Sequence, residues 1–231
     1  MRPMKAKLAH DIPITERKRI FLVEDHPVYR EGVTRAIDRE PDLCVCGHSD
    51  SAAEAFASIC RLKPDLALVD LTLPGRSGLE LIKDLRVSVP ETDAIVLSMH
   101  DEFLFAERAL RAGARGYVMK HEDTSVILRA IRHVLAGGLF VSPKISERIL
   151  QRFSPKAKDI RTPAEQLTDR ELEVLHLLGR GLSTNDIAKL LHLSPKTVAV
   201  HRSNIKAKLK LTNVAAVIRF AITYESSRVP P

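Results

Sequence analysis

Residues 19–140 alternate between two kinds of sequence pattern. Short runs rich in β-branched and aliphatic residues recur five times, and amphipathic stretches separate them. In the first such stretch, apolar residues recur at every fourth position (Tyr29, Val33 and Ile37), which is the spacing of one helix face. Strands that alternate with helices predict βαβ units and a parallel sheet covered on both faces. Five such units predict a doubly wound α/β domain with a five-stranded parallel sheet.

The pattern changes after residue 140. Residues 141–165 combine a short helical pattern with prolines and basic residues, which predicts a linker that contains a short helix. Residues 166–231 are helical throughout and predict a small all-α domain of four short helices. A capping signal precedes each of these helices: Thr168 with Glu171, Ser183 with Asp186, Ser194 before Pro195, and Thr212.

Charge is divided unevenly along the chain. Over residues 20–143, 14 Lys and Arg stand against 19 Asp and Glu, whereas over residues 166–231 the numbers are 10 and 5. An acidic first part and a basic second part favour two roles, with nucleic acid as the partner of the basic part; solvated surface charge is the alternative. Residues 1–18 are basic without the long apolar run of a secretion signal, which predicts a disordered tail.

Apolar runs and cysteines restrict the class of protein further. No run of 18 or more apolar residues occurs, so we expect neither a membrane-spanning helix nor a membrane partner. Cys44, Cys46 and Cys60 are too few for a disulfide framework, and no histidine or cysteine pair has the spacing of a zinc site. We therefore expect buried thiols in a cytoplasmic protein.

Polar residues stand at the ends of four predicted strands. Glu24 and Asp25 end the first, and Asp70 ends the third. Ser98 ends the fourth and Lys120 the fifth. Because the carboxyl ends of parallel strands lie at one edge of the sheet, we expect these five side chains to meet there. Taken singly, each has an ordinary alternative: a turn former for Asp70, a helix-terminal charge pair for Glu24 and Asp25, a helix cap for Ser98 and a solvated side chain for Lys120.

Three carboxylates at one edge would repel each other, and a hard cation relieves that repulsion. Mg²⁺ prefers oxygen ligands, so we expect direct ligation by Asp25 and Asp70. Glu24 would act through a water molecule, and the carbonyl of Thr72 would be a further ligand. An ionised Asp70 beside Mg²⁺ and Lys120 is suited to attack phosphorus and form an aspartyl phosphate. The residues thus predict a magnesium-dependent phosphoacceptor at Asp70.

Four segments of the first half of the chain, FLVEDHPVYREGV, DLALVDLTLPGRSGLELI, IVLSMHDE and GARGYVMKHE, resemble response-regulator receiver domains. The resemblance implies a flavodoxin-like fold. It also implies a phosphoryl donor, either a histidine kinase or a small phosphodonor, and identifies Asp70 as the phosphoacceptor. Ser98 and Tyr117 would be the switch residues, with Lys120 as the catalytic lysine. Many receivers have Asp-Asp where this chain has Glu24 and Asp25.

The third predicted helix of the C-terminal domain follows the second after a short turn, which predicts a helix-turn-helix; a basic, solvated helix is the alternative reading. Val198, Ile205 and Leu209 share one face and are expected to pack inward, which leaves the opposite face for the major groove of double-stranded DNA. Small side chains on that face suit thymine methyl groups better than guanine, so we expect modest base readout. The residues expected to contact DNA are Lys196, Thr197, Ala199, Val200, Arg202, Ser203, Lys206, Lys208 and Lys210.

Residues 167–211 resemble the DNA-binding domain of LuxR/NarL-type regulators, whose members bind operators as dimers. Together the two halves resemble a NarL/FixJ-type response regulator, a transcription factor and not an enzyme. The resemblance implies a homodimer on DNA or when phosphorylated, formed through the last helix. The apolar residues Val214, Val217, Ile218 and Ala221 of that helix would form the dimer contact, or they would equally complete the core of the helical domain.

Two alternative functions remain open from the sequence. One is a constitutive DNA binder with a silent receiver. The other is an aspartyl-phosphate phosphatase, in which a second Asp typically stands two residues after the nucleophile; here that position holds Thr72. Thr72 and His100 each lie two residues beyond a site residue, and we hypothesise that they set the lifetime of the phosphoryl group.

Overall fold

The computed structural model describes residues 17–152 and 163–226. Most of the predicted disordered tail and part of the predicted linker lie outside the described residues. Within them, no helix has the length and apolar character needed to cross a membrane.

Five parallel strands form one sheet, as the alternating pattern predicts. Their order is β2-β1-β3-β4-β5, so the strand order reverses between β1 and β3. This order is that of a flavodoxin-like doubly wound sheet, and ligands bind such sheets beyond the carboxyl ends of the strands next to the reversal. The strands are β1 (Lys18–Val23), β2 (Leu43–Ser49), β3 (Leu66–Asp70), β4 (Asp93–Ser98) and β5 (Gly116–Met119).

Helices cover both faces of the sheet because successive strand residues point to opposite sides. On β1, Ile20 and Leu22 belong to the apolar core on one face, whereas Phe21 and Val23 belong to the core on the other. The first face packs against α1 and α5, and the second against α2, α3 and α4. These helices are α1 (Pro27–Asp38), α2 (Ala52–Leu62), α3 (Gly78–Ser88), α4 (Glu102–Ala112) and α5 (Thr124–Leu135).

The rest of the described chain is helical. Thr168 and Glu171 form the predicted capping box at the start of α7. The cap predicted at Thr212 is wrong: the last helix begins one residue later, and Asn213 Oδ1 accepts the hydrogen bond from the backbone N–H of Ala216 at 2.8 Å. The elements are α6 (Pro143–Arg152), a short 3₁₀ helix (Pro163–Gln166), α7 (Asp169–Gly179), α8 (Thr184–Leu190), α9 (Pro195–Lys208) and α10 (Val214–Ser226).

The start of the helical domain is held against α3 and α4 of the α/β domain. Arg108 on α4 donates to the carbonyl oxygens of Ala164 and Leu167 at 3.0 and 2.9 Å. Arg108 also pairs with Asp169 at 2.9 Å, and Lys83 on α3 reaches the same carboxylate at 2.9 Å. The N-terminus of α7 is therefore fixed beside the α3–α4 face.

Candidate functional site: an acidic pocket and a basic helix

Asp70 ends β3 at the carboxyl edge of the sheet, where Lys120 meets it after β5. Lys120 Nζ lies 2.8 Å from Asp70 Oδ2 and 2.6 Å from Glu24 Oε2. All three side chains are almost completely buried. The backbone N–H of Thr72 donates to Asp70 Oδ1 at 3.2 Å. One ammonium group therefore bridges two buried carboxylates, and both oxygens of Asp70 have a fixed partner.

The carboxylates of Glu24 and Asp70 belong to a cluster of side chains that offers ligand atoms for a divalent cation. One ligand atom from each of Glu24, Asp25, His26 and Asp70 lies within 4.8 Å of all the others. Asp25 Oδ1 is buried and accepts no hydrogen bond, although His26 Nδ1 is 2.9 Å away. A buried carboxylate oxygen without a hydrogen bond is costly unless an ion or water satisfies it. The carboxylates present thus fit Mg²⁺, which binds oxygen ligands.

His26 is a member of this cluster that the sequence analysis missed. It is the N-cap residue of α1, and its backbone N–H donates to Glu24 Oε1 at 3.1 Å. Its position directly after the acidic pair was the available signal. Because a histidine after a strand is ordinarily only a loop residue, only the fold shows that its ring turns back toward the carboxylates.

The electrostatics of the pocket are dominated by burial. Burial raises the pKa of Asp70 to about 6, Lys120 opposes the rise, and Glu24 adds to it. Burial also lowers the pKa of Lys120, but Asp70 and Glu24 outweigh it, so that this pKa lies above its usual value. The ammonium group therefore remains charged at neutral pH, and it partly offsets the cost of the two buried carboxylates.

This raised pKa predicts how stability depends on pH in the absence of metal. Because the pKa of Asp70 is higher in the folded state, the wild type loses stability as pH rises from about 4 through about 6. Asp70→Asn has no carboxylate to ionise, so at pH 7.5 in EDTA it should be more stable by up to about 3 kcal/mol. The advantage should disappear near pH 4. Urea unfolding at the two pH values measures the difference, and an equal or lower stability of the variant at pH 7.5 would contradict it.

Ser98, Tyr117 and Thr72 are linked through His100. The Ser98 hydroxyl oxygen accepts a hydrogen bond from the backbone N–H of His100 at 2.9 Å. The Tyr117 hydroxyl donates a hydrogen bond to the backbone carbonyl oxygen of His100 at 2.8 Å. The ring of Tyr117 is buried. Thr72 Oγ1 lies 2.8 Å from His100 Nε2. Burial lowers the pKa of His100 to about 3, so its ring is neutral at physiological pH.

Helix α9 has one face in the core and one in solvent, as its spacing predicts. Val198 and Ile205 are fully buried. On the other side, Lys196 and Ser203 are exposed and Val200 is 51% exposed. Ser194 caps the helix by accepting from the backbone N–H of Thr197 at 3.0 Å. The outward face of α9 is therefore open in this structure.

Comparisons with known proteins match both halves of the chain. Residues 20–132 match the response regulator receiver domain, and residues 165–221 match the bacterial regulatory proteins of the luxR family. The transcriptional regulatory protein DegU of Brevibacillus brevis is 31% identical over 215 residues, which cover 87% of this chain and 91% of DegU.

The chain belongs to the LuxR-type response regulators. It is a phosphorylation-dependent, DNA-binding transcriptional regulator, which confirms the family and function predicted from the sequence. A two-component response regulator of the LuxR family from Aurantimonas sp. SI85-9A1 has a TM-score of 0.55 and 38% identity, covering 59% of this chain and 97% of that one. RcsB from Salmonella enterica serovar Typhimurium, solved bound to a promoter, shares the fold at 22% identity, a TM-score of 0.58 and coverage of 89% and 98%.

Two of the cations predicted to contact DNA have partners inside the helical domain of this response regulator. Lys208 Nζ lies 2.6 Å from Glu171 Oε2, and Arg202 Nη1 donates to Thr184 Oγ1 at 3.3 Å. Contact with a phosphate would have to compete with these interactions. Lys196 and Lys210 are exposed at the two ends of α9, where they can reach phosphates without such competition.

The four residues predicted to form the dimer contact of this response regulator divide between two environments. Val217 and Ala221 are fully buried in the core of the helical domain. Val214 and Ile218 are about two-fifths exposed, and Ile222 continues the same exposed stripe one turn further along α10. The core reading therefore holds for Val217 and Ala221, and the dimer contact stays a prediction for Val214 and Ile218.

Proposed function

We propose that Asp70 is the phosphoacceptor of this response regulator. The observation that carries the proposal is the buried triad of Asp70, Lys120 and Glu24 beside an acidic cluster at the carboxyl edge of the sheet. The phosphoryl donor is a histidine kinase or a small phosphodonor. Glu24, Asp25 and Asp70, with the carbonyl of Thr72, would hold Mg²⁺. When bound, the cation supplies positive charge that offsets negative charge on the transferring phosphoryl group.

The residues of the chain orient and stabilise the transfer. One carboxylate oxygen of Asp70 forms a bond to phosphorus while the bond from phosphorus to the donor breaks, and the leaving group takes the electron pair. Lys120 Nζ lies 2.8 Å from the carboxylate, within reach of a phosphoryl oxygen. The backbone N–H of Thr72 fixes the orientation of Asp70. Together these donors counter the repulsion between the nucleophile and the incoming phosphoryl group.

We further propose that Ser98 and Tyr117 convert phosphorylation into a change of shape. Ser98 would turn from the backbone of His100 toward a phosphoryl oxygen, and Tyr117 would rotate into the space vacated. Because both side chains contact the backbone of His100, one displacement affects the loop before α4. Thr72 and His100, in hydrogen-bond contact beside Asp70, would set the phosphoryl lifetime.

For the output, we propose that α9 enters the major groove of operator DNA as part of a homodimer in the cytoplasm. The open outward face of α9 and its exposed terminal lysines support this. Val214 and Ile218 would contribute the exposed part of the dimer contact.

Replacing Ala199 by lysine tests which residues meet the bases. Ala199 presents only a methyl group, so a lysine there should add a donor that reaches guanine. A binding-site selection should therefore show a changed preference at one base position in each half-site, worth about 1–3 kcal/mol of discrimination. An unchanged sequence preference would refute this orientation of α9.

Labelled acetyl phosphate distinguishes the proposed function from its two alternatives. In the presence of Mg²⁺, a response regulator should accept one stable label on Asp70. An aspartyl-phosphate phosphatase would release inorganic phosphate rapidly, and a silent receiver would take up no label while the chain still binds DNA. Either of the latter results would overturn the proposal.

A further inference from the structure

His192 of the DNA-binding domain contacts the acidic pocket of the receiver. It lies in the turn between α8 and α9, and its Nε2 is 2.8 Å from Asp25 Oδ2. With this contact in place, the side chain of Asp25 is one-tenth exposed. The other oxygen, Oδ1, faces His26. A residue far away in the sequence thus occupies an oxygen of a predicted metal ligand.

Helix α7 of the same domain lies close to the phosphoacceptor. The ring of His176 is 6.0 Å from the ring of His100. Glu173 is fully buried, and its Oε1 has no hydrogen-bond partner. Burial raises the pKa of Glu173 to about 7, Arg170 opposes the rise, and the charges of Asp169 and Asp70 add to it. The DNA-binding domain therefore lies over the carboxyl edge of the receiver sheet.

This docking leaves the DNA-reading surface open. Lys196, Val200 and Ser203 on α9 are exposed, and so is the stripe on α10 that contains Val214 and Ile218. The surface covered by docking is that of the phosphoacceptor pocket. Docking in this arrangement therefore restrains the phosphoacceptor pocket of the receiver, and it does not cover α9.

We propose that His192 is a latch that competes with the divalent cation for Asp25, so that metal binding and domain docking oppose each other. The proposal rests on the proposed function, because it takes Asp25 as a ligand of Mg²⁺. While His192 Nε2 lies 2.8 Å from Asp25 Oδ2, a cation about 2.0–2.1 Å from that oxygen would bring its charge and its other ligands against the imidazole ring. By linkage, the factor by which docking weakens metal binding equals the factor by which the metal weakens docking.

The test substitutes His192 by asparagine in the full-length chain. The backbone of His192 is left-handed, with φ +53°, and asparagine is among the non-glycine residues that adopt this conformation most readily. His192→Asn therefore shortens the side chain, which removes the contact with Asp25, and leaves the turn intact. Lys63→Asn is the matched control, because Lys63 also has a left-handed backbone (φ +45°) and a surface ion pair, with Glu91.

Mg²⁺ affinity, measured by isothermal titration calorimetry without a phosphodonor, is the first readout. His192→Asn should bind Mg²⁺ more tightly than the wild type by a factor of at least about five. Lys63→Asn should have the Mg²⁺ affinity of the wild type. The second readout is small-angle scattering. Mg²⁺ alone should expand the wild-type chain, whereas His192→Asn should be expanded already without the cation.

Equal Mg²⁺ affinity in His192→Asn and the wild type would overturn the latch. So would a wild-type chain whose dimensions do not change with Mg²⁺. Labelling by acetyl phosphate separates this failure from failure of the proposed function: a chain that accepts the label at Asp70 but shows no coupling through His192 retains the phosphoacceptor and loses only the latch.

Discussion

Asp70→Asn should abolish the stimulation of operator binding by acetyl phosphate. The amide has nearly the shape of the carboxylate but neither its charge nor its nucleophilicity, so no bond to phosphorus can form. Lys120 keeps Glu24 as an ion-pair partner at 2.6 Å, which should preserve the fold of the pocket. A gel shift with and without acetyl phosphate measures the effect, and the variant should bind at the unstimulated level in both lanes.

Asp84→Asn is the matched control for this experiment. Asp84 lies on α3, its side chain is 41% exposed, and it pairs with the half-exposed Arg76 at 2.9 Å. This variant should be stimulated as strongly as the wild type, because exposed ion pairs contribute little. Equal stimulation of Asp70→Asn and Asp84→Asn would show that phosphorylation occurs elsewhere.

Gly78→Ala should cause the largest loss of stability among single-methyl changes at this site. A Cβ at position 78 would lie 2.0 Å from the backbone carbonyl oxygen of Asp70, and backbone cannot move aside as a flexible side chain can. The backbone N–H of Gly78 also donates to the carbonyl of Leu71 at 2.9 Å. Relief of the clash must therefore displace the end of β3, at a cost of about 3 kcal/mol in the free energy of unfolding.

The same displacement should slow phosphorylation, since it moves Asp70 away from Lys120. Urea unfolding measures the first effect, and acetyl-phosphate labelling under conditions where the variant is folded measures the second. Gly32→Ala is the control: Gly32 lies within α1, and nothing lies within 4 Å of a Cβ placed there. That change should raise stability by about 0.5–1 kcal/mol, as alanine does in exposed helix interiors. Equal stabilities of the two variants would contradict the clash.

Much of the pocket was predictable because it follows from local patterns and one topological rule. Strand runs that end in Asp70, Ser98 and Lys120 are visible as short apolar segments, and parallel strands place all their carboxyl ends at one edge. The inward face of α9 was predictable for the same kind of reason, since residues spaced by three, four or seven share a helix face. The start of α10 was not predictable in this way, because Thr212 and Asn213 are both good caps and only hydrogen-bond geometry distinguishes them.

What the sequence by itself determined is the pair of domains and the chemistry of each, because hydrophobic periodicity and the order of polar residues are local properties of the chain. Only the tertiary structure decided that His26 joins the acidic cluster, that Val217 and Ala221 are core residues, and that His192 reaches Asp25. These facts depend on how separate elements are positioned in space. The contact between His192 and Asp25 joins residues more than 160 positions apart, and no periodicity within either segment encodes it.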